Sequence, residues 1–407
     1  MTVPAEHHAA ASKSPDTAPR DRRAARPLFA AGFTTAFGAH AVAANLGVYT
    51  GTRHGSLLEL GILLALYDGA EVVLKPVFGS LADRIGGKPV LIGGLLAFAL
   101  ASAGFFLADG PAALFAARLG QGAAAAAFSP AASMLVARLA PKGASGRAFG
   151  SYGAIKGLGY ALGPLLGSAL VVAGGYRLLF AVLAALAGLV ALWAVFAVPS
   201  LPPTHKSRQT LLQLARRLSA PSFLGPTAAL AGATGAFSAG VGFLPVLGHR
   251  AGLGPLATGA AVSLLAITAA LVQPRVGRAH DAGTLPTRRG LGTGLAACAA
   301  GLALAATLSG WPGLVGAAVA IGVGTALITP LGFAALAATA PPDRLGATMG
   351  AAEVGRELGD AGGPLLVGLI AAASLSAGLG ALAVLLGAGA LASTTRTRHD
   401  TAQRTEH

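Results

Sequence analysis

Two stretches of this 407-residue chain, 200 positions apart, carry the same pattern. Residues 140–166 read APKGASGRAFGSYGAIKGLGYALGPLL, and residues 340–366 read APPDRLGATMGAAEVGRELGDAGGPLL. Both begin with Ala-Pro, share glycines at the same positions and end in Gly-Pro-Leu-Leu, without a gap between them. Lys156 in the first stretch corresponds to Arg356 in the second. This self-similarity predicts that the chain consists of two related halves running in the same direction.

The correspondence continues upstream, where the offset becomes 198 residues. The matching pairs there are Pro76 with Pro274, Gly79 with Gly277 and Asp83 with Asp281. The repeat therefore extends over several helices of each half.

The composition indicates a membrane protein. Hydrophobic residues make up 54% of the chain and charged residues only 11%, whereas a soluble protein carries roughly 25% charged residues. Apolar stretches recur at about the 20 residues that a helix needs to cross a bilayer. The twelve predicted spans are 28–50, 57–79, 89–108, 111–136, 147–173, 176–198, 223–248, 255–275, 288–309, 311–336, 346–372 and 374–393.

These spans predict an all-α membrane protein with twelve transmembrane helices in two parallel six-helix repeats. We expect six-helix bundles at 28–198 and 223–393, joined by a cytoplasmic linker at 199–222. Residues 1–27 and 394–407 are polar and are predicted to be cytoplasmic tails, the first of them disordered.

The positive charge sets the predicted orientation. Of the 29 Lys and Arg residues, 22 fall in the tails and loops on the side of the N-terminus, and three fall in the opposite loops. This distribution places both termini in the cytoplasm of a multi-pass protein of the cell's inner (plasma) membrane. It also makes the high pI a signal of topology, so we predict no nucleic-acid partner.

Three segments carry recognisable motifs. Residues 79–88 read GSLADRIGGK between spans 2 and 3, residues 118–122 read RLGQG in span 4, and residues 159–168 read GYALGPLLGS in span 5. Glycines favour a short connection between helices, and an aspartate in it can approach the positive N-terminal end of a neighbouring helix. Glycines four residues apart form a flat stripe on which another helix packs closely.

These motifs resemble those of the major facilitator superfamily, and within it the twelve-helix drug:proton antiporter group. The resemblance implies that the first segment latches the two halves on the cytoplasmic side, although Gly87 replaces a usual basic residue. The alternative is a solvated loop that only sets topology. The residues of this gating motif are Gly79, Asp83, Arg84, Gly86 and Lys88.

The other two motifs imply coupling and helix bending. Arg118, deep in span 4, is expected to hold a polar network or take part in proton coupling, or else to be a structural hydrogen-bonding arginine. The third motif marks antiporters, with Ser168 where a second glycine is usual. Its packing and bending positions, with their repeat counterparts, are Gly159, Gly163, Pro164, Gly167, Gly363 and Pro364.

Several ionisable residues fall inside the predicted spans, where charge is costly and indicates function. A proton-coupled carrier needs a carboxylate whose pKa changes with its surroundings, since burial raises that pKa and a nearby cation lowers it. Buried ion pairs that fix helix packing are the alternative. The candidates for substrate binding or coupling are His40, Asp68, Glu71, Arg118, Gln121, Lys156, Arg356, Glu357 and Asp360.

The favoured hypothesis is a proton-coupled exporter of a small molecule that works by alternating access, with a central cavity lined by spans 1, 2, 4, 5, 7, 8, 10 and 11. The alternative is an importer or exchanger of a small anionic metabolite, with Lys156, Arg118 and Arg356 converging on the anion. Because only 6% of the chain is aromatic, we expect few aromatic side chains in the cavity, which keeps the anion alternative open. We predict a monomer that is not an enzyme and has no metal or cofactor.

Overall fold

The computed structural model describes residues 18–52, 57–105, 111–203, 219–253, 255–371 and 374–404, which form helices and no strand. The long helices in this part of the chain are α1 Ala18–Thr52, α2 Leu57–Ile85, α3 Gly87–Gly104, α4 Pro111–Leu139, α5 and α6 within Ser145–Ala197, α7 Pro221–Arg250, α8 Pro255–Asp281, α9 Thr287–Thr307, α10 Gly310–Thr339, α11 Leu345–Ala371 and α12 Leu375–Arg404. A short 3-10 turn, Pro342–Arg344, precedes α11.

The stretch Ser145–Ala197 is interrupted at two glycines. Gly174 and Gly175 leave helical geometry, and Gly175 has a φ of 69°, which favours glycine over other residues. We name residues 145–173 α5 and residues 176–197 α6. This break lies where the sequence predicts the boundary between spans 5 and 6.

The helices extend beyond the predicted spans at several ends. Helix α1 begins at Ala18, inside the predicted tail 1–27, and α12 continues to Arg404 through most of the predicted tail 394–407. Once a helix has formed, each added residue gains a hydrogen bond, so such extensions are favourable. Residues 1–17, most of the predicted linker (204–218) and residues 405–407 lie outside the described residues.

The predicted loop at 79–88 is almost entirely helical. Helix α2 continues to Ile85 and α3 begins at Gly87, so the connection consists of Gly86, which has a φ of 96°. The polar character of this segment suggested a loop. The segment instead comprises the ends of two helices, with Arg84 exposed and Asp83 buried.

Eight of the described helical stretches are long and apolar enough to cross a membrane, judged by length and composition alone and with Ser145–Ala197 taken as one. The stretches α1, α2 and α11 fall outside this set. For α2 and α11 the reason is chemical, because both carry several ionisable side chains that lower their hydropathy.

The helices pack within each repeat and across the boundary between them. Helix α1 packs on α5 and α3 on α4, while α7 packs on α11 and α9 on α10 and α12. Across the boundary, α2 packs on α11 and α5 packs on α8. The domain boundaries at 28–198 and 223–393 stay a prediction.

Candidate functional site

The carboxylate of Asp83 lies against the start of α11. Its two oxygens accept hydrogen bonds from the backbone N–H groups of Gly346 and Ala347, at 2.7 and 2.8 Å. These N–H groups belong to the first turn of α11 and have no partner within their own helix, so a carboxylate there is favourable. Burial raises the pKa of Asp83 above its usual value, and the two N–H groups oppose that change. We call this contact the Asp83 clamp.

A second clamp joins the other pair of helices across the boundary. Asp281, at the end of α8, accepts hydrogen bonds from the N–H groups of Gly146 and Arg147 at 2.9 and 2.8 Å. Those residues form the first turn of α5. The Asp281 clamp is therefore the repeat counterpart of the Asp83 clamp, and both lie at the same end of the helix bundle.

Glycines let the helix backbones meet at the clamps. A methyl group on Gly79 would lie 2.5 Å from the carbonyl oxygen of Gly346. A methyl group on Gly277 would overlap the carbonyl oxygen of Gly146. The other residues of the predicted gating motif serve different contacts. Arg84 is exposed, and the Lys88 ammonium donates to the carbonyl oxygen of Val195 at 2.8 Å.

Six ionised side chains form what we call the charged network between α2, α5 and α11. Its members are Glu71, Lys75, Lys156, Glu353, Arg356 and Glu357. The Lys75 ammonium lies 2.5 Å from Glu71 Oε2 and 2.8 Å from Glu357 Oε1, and its side chain is only 1% exposed. This lysine therefore connects α2 to α11.

Glu353 holds the rest of the network together. Its Oε2 lies 3.1 Å from Nε of Arg356 and 3.5 Å from Nζ of Lys156, while its Oε1 accepts from the Ser133 hydroxyl at 3.2 Å. The Arg356 guanidinium also pairs with Glu357. Three carboxylates thus balance three cations, as a buried cluster requires.

Three of the predicted candidates lie apart from this network and outside the cavity wall described below. Arg118 is 2% exposed and lies over the Tyr67 ring, 4.4 Å from its centre. Gln121 donates to the Ser102 hydroxyl at 2.9 Å. Asp68 is exposed, and no ion pair joins it to another described residue. The expected convergence of Arg118 with Lys156 and Arg356 on one anion is therefore not seen.

The glycine stripes of the antiporter-like motif pack helices together. Methyl groups on Gly159, Gly163 and Gly167 would lie within about 3 Å of α1 atoms. Gly363, in the repeated position, approaches Gly235 of α7 in the same way. The associated prolines, Pro164 and Pro364, line the cavity described next.

A cavity of about 780 Å³ lies between the two repeats. Its described wall comes from α1, α5, α7, α8, α10 and α11. The expectation that spans 2 and 4 also line it is wrong for the described residues, because none of those in α2 or α4 lies in the wall. The wall includes Glu353, Lys156 and Arg356, which form the part of the charged network nearest the cavity.

Aromatic side chains concentrate in this wall. Six of the chain's 23 Phe, Tyr and Trp residues line it, contrary to the expectation of an aromatic-poor cavity. These are Phe149, Tyr152, Tyr160, Phe237, Phe243 and Phe333. Phe149 of α5 and Phe333 of α10 stack at 5.5 Å between ring centres, near the clamp end of the cavity. A volume of this size with apolar walls suits a drug-sized molecule.

His40 and Asp360 place titratable groups on the cavity wall. His40 Nδ1 lies 3.1 Å from the carbonyl oxygen of Ala36. The His40 and Tyr160 rings are nearly perpendicular, with 4.5 Å between their centres. Asp360 accepts a hydrogen bond from Ser238 and takes no part in the charged network. Unlike the network's carboxylates, Asp360 has no ion pair with a described cation.

Comparisons with known proteins agree with this architecture. The family model described as Major Facilitator Superfamily matches residues 28–285. A probable actinorhodin transporter of Streptomyces coelicolor is 35% identical over 148 residues, which is 35% of this chain and 24% of the relative. The puromycin resistance protein of Streptomyces alboniger is 44% identical over 93 residues, covering 23% of this chain. The chain thus spans 24% and 18% of the lengths of these two relatives.

A solved structure extends the likeness to nearly the whole chain. The crystal structure of the human organic anion transporter MFSD10 (TETRAN) matches with a TM-score of 0.80 at 18% identity. The match covers 92% of this chain and 100% of that one. At this identity the likeness establishes the fold, and it confirms the predicted helical architecture of two parallel repeats.

Proposed function

Because the chain belongs to the Major Facilitator Superfamily, whose members are membrane transporters and not enzymes, we propose that it exports a small molecule in exchange for protons by alternating access. The similarity of short segments to antibiotic transport and resistance proteins supports export. Proton coupling is supported by the charges of the cavity.

The charge count around the cavity carries the proposal. The charged network is balanced within itself, whereas Asp360 adds one carboxylate to the cavity wall without a cation of its own. His40 lines the same cavity, and a histidine is the side chain that ordinarily exchanges a proton near neutral pH. One proton taken up by Asp360 or His40 neutralises the wall, and its release restores the negative charge.

The clamps define the proposed orientation. We place the clamp end in the cytoplasm of an inner-membrane protein, because the loops at that end carry most of the Lys and Arg residues. The close contacts at both clamps shut the cavity on that side. The conformation is then the one that faces outward, and export requires α2 to separate from α11 and α5 from α8. We place the moving units at 28–198 and 223–393, in a monomer.

Proton flux in proteoliposomes tests the proposal. The purified full chain is reconstituted with a pH-sensitive dye inside, and a panel of aromatic antibiotics is added. We expect at least one compound to cause proton movement through the wild-type protein. The Asp360→Asn variant should still bind that compound but show no proton movement. Ser376→Ala, at an exposed position of α12 outside the cavity wall, serves as the control. Substrate transport without any proton movement would contradict the coupling.

One observation keeps a second candidate function in view. Lys156 and Arg356 both line the cavity, and paired cations can recognise an anionic metabolite. Both are held by Glu353, however, so an anion would have to displace that carboxylate. Loss of anion uptake in Lys156→Ala would support this second function, whereas unchanged drug export in the same variant would support the first.

A further inference from the structure

The two helix contacts across the repeat boundary have the same backbone geometry. Residues of α2 correspond to residues of α8 at an offset of 198, and residues of α5 to those of α11 at an offset of 200. A methyl group on Gly350 would lie 2.7 Å from the carbonyl oxygen of Lys75, and one on Gly150 would lie 2.6 Å from that of Gln273. Gln273 is therefore the counterpart of Lys75 in space as well as in sequence.

The side chains at the two contacts differ completely. Between α2 and α11 the space is filled by Glu71, Lys75, Glu353 and Glu357. The four corresponding positions between α5 and α8 are Ala269, Gln273, Gly153 and Gly157. Ionised groups fill the first contact, whereas the second has one amide, a methyl group and two glycines. All four residues of the second set line the cavity.

Gln273 lacks the partner that its counterpart has. Its side chain is 4% exposed, and its Oε1 accepts no hydrogen bond from a described residue. Lys75, in contrast, is held by two carboxylates. A buried amide without a partner is unfavourable. The terminal torsion of glutamine is broad and roughly two-fold, so a rotation of about 180° exchanges the amide oxygen and nitrogen at the cavity wall.

The glycines leave room beside this amide. A side chain at Gly153 would overlap Oε1 of Gln273, so only glycine permits the observed position of the amide. A methyl group on Gly157 would meet only the Cβ of Ala270, at 3.8 Å. The space that Glu357 fills at the other contact is therefore open at this one.

The local charge decides which chemistry fits. None of the four residues is ionisable, and Lys156, on the same helix as the glycines, is already paired with Glu353. An ionic group here would remain uncompensated in a medium where charge is costly. We propose that Gln273, Gly153 and Gly157 form a subsite that binds an uncharged substrate group able to donate and accept hydrogen bonds, such as a carboxamide or a hydroxyl. This proposal rests on the proposed transport function of the cavity.

Binding of two nearly isosteric probes tests the subsite. Naphthalene carboxamide has a hydrogen-bond donor and acceptor, whereas acetylnaphthalene replaces the amino group with a methyl group. We measure equilibrium binding of both to the purified full chain in detergent. In the wild type we expect the amide to bind about tenfold more tightly, because one hydrogen bond to a buried partner decides the difference.

Two variants and a control make the result specific. Gln273→Leu keeps the volume and removes the hydrogen bonds, so the preference for the amide should fall to about one. Gly157→Ala fits the helix but narrows the subsite, and it should weaken binding of the amide. Gly362→Ala adds the same methyl group to α11 at an exposed position with open space around it, and it should keep the preference.

The outcomes separate this proposal from the proposed function. An unchanged preference in Gln273→Leu, or no binding of the amide by the wild type, would overturn the subsite. A preference that disappears in Gln273→Leu, in a protein that moves no protons with any compound, would uphold the subsite and overturn proton coupling. Proton-coupled transport by the wild type, together with an unchanged preference for the amide in Gln273→Leu, would uphold proton coupling and overturn the subsite.

Discussion

The Lys75 ammonium lies 2.8 Å from Glu357 Oε1, and this ion pair joins α2 to α11 across the boundary between the two repeats. The pair lies on the cavity side of the Asp83 clamp, so the same two helices are held at two depths. Any movement that separates α2 from α11 must break both contacts. Lys75 is nearly inaccessible to solvent, so the separation must also rehydrate the charges.

Removing the cation alone should be costly. Lys75→Met leaves Glu71 buried without its cation partner and leaves Glu357 paired with Arg356, and we expect a loss of about 3–5 kcal/mol in the free energy of unfolding. The double variant Lys75→Met with Glu357→Gln restores equal numbers of carboxylates and cations in the charged network and should recover part of that loss. Unfolding in detergent measures both, with the exposed Lys142→Met as the control. Equal losses in the single and double variants would contradict the pairing.

The two clamps should contribute separately to closure. Asp83→Asn and Asp281→Asn each remove a charge that a helix N-terminus stabilises by up to about 2 kcal/mol. We expect each to increase labelling of a cysteine placed at the fully buried Met349, by a factor of about 5–30. The native Cys298 is itself buried and gives little background.

Asp343, close to the Asp83 clamp, provides the control for these two variants. Asp343→Asn removes the same charge close to the Asp83 clamp without removing an acceptor for the N–H groups of α11. It should leave the labelling rate near that of the wild type. Because the two clamps share no residue, the effects of Asp83→Asn and Asp281→Asn should add in free energy. If the labelling rate rises as much in Asp343→Asn as in Asp83→Asn, the effect comes from the general loss of negative charge and not from the clamp.

The glycine stripe of α5 should tolerate no added methyl group. In Gly163→Ala the new carbon would lie 2.9 Å from Cβ of His40 and 3.1 Å from the backbone nitrogen of Ala41. We expect a loss of about 1–3 kcal/mol in the free energy of unfolding. Gly368→Ala places the same group in open space on α11 and should be neutral. Similar unfolding of the two variants would argue against close α1–α5 packing.

The stacked rings of Phe149 and Phe333 should seal the cavity towards the clamps. With a cysteine at Thr329 in the cavity wall, Phe149→Ala should speed labelling by an impermeant thiol reagent added on the clamp side. Phe149→Leu keeps most of the volume and should label slowly. If the alanine and leucine variants label at the same slow rate, the seal lies elsewhere.

Much of the backbone arrangement could be predicted from the sequence. The two offsets, 198 and 200, pair Asp83 with Asp281 and Gly146 with Gly346. In the structure Asp83 contacts Gly346 and Asp281 contacts Gly146, which gives two equivalent clamps. Glycine and proline carry this information well because their effects are local to the backbone. The fold and the family follow from the same signals.

The partners of the charged residues could not be predicted in this way. Asp68 and Lys75 are seven positions apart and share a helix face, yet Lys75 is buried and Asp68 is exposed. The spacing gives the direction of a side chain, and the neighbouring helix at that depth decides its burial. The expectation of an aromatic-poor cavity was wrong for a related reason. The 6% aromatic content is an average over the chain, and the cavity wall holds a larger fraction of aromatic residues than that average.

The paired clamps also bear on how the chain arose. In a dimer of two identical units related by a two-fold axis, every contact occurs twice. Residue i of the first unit contacts residue j of the second, and residue j of the first contacts residue i of the second. Asp83 with α11 and Asp281 with α5 retain that duplicated contact within a single polypeptide. Within one chain, the two copies of such a contact need not carry identical residues. Lys75 and Gln273 show this freedom, since the two seams share a backbone geometry and differ in chemistry, one ionic and the other neutral.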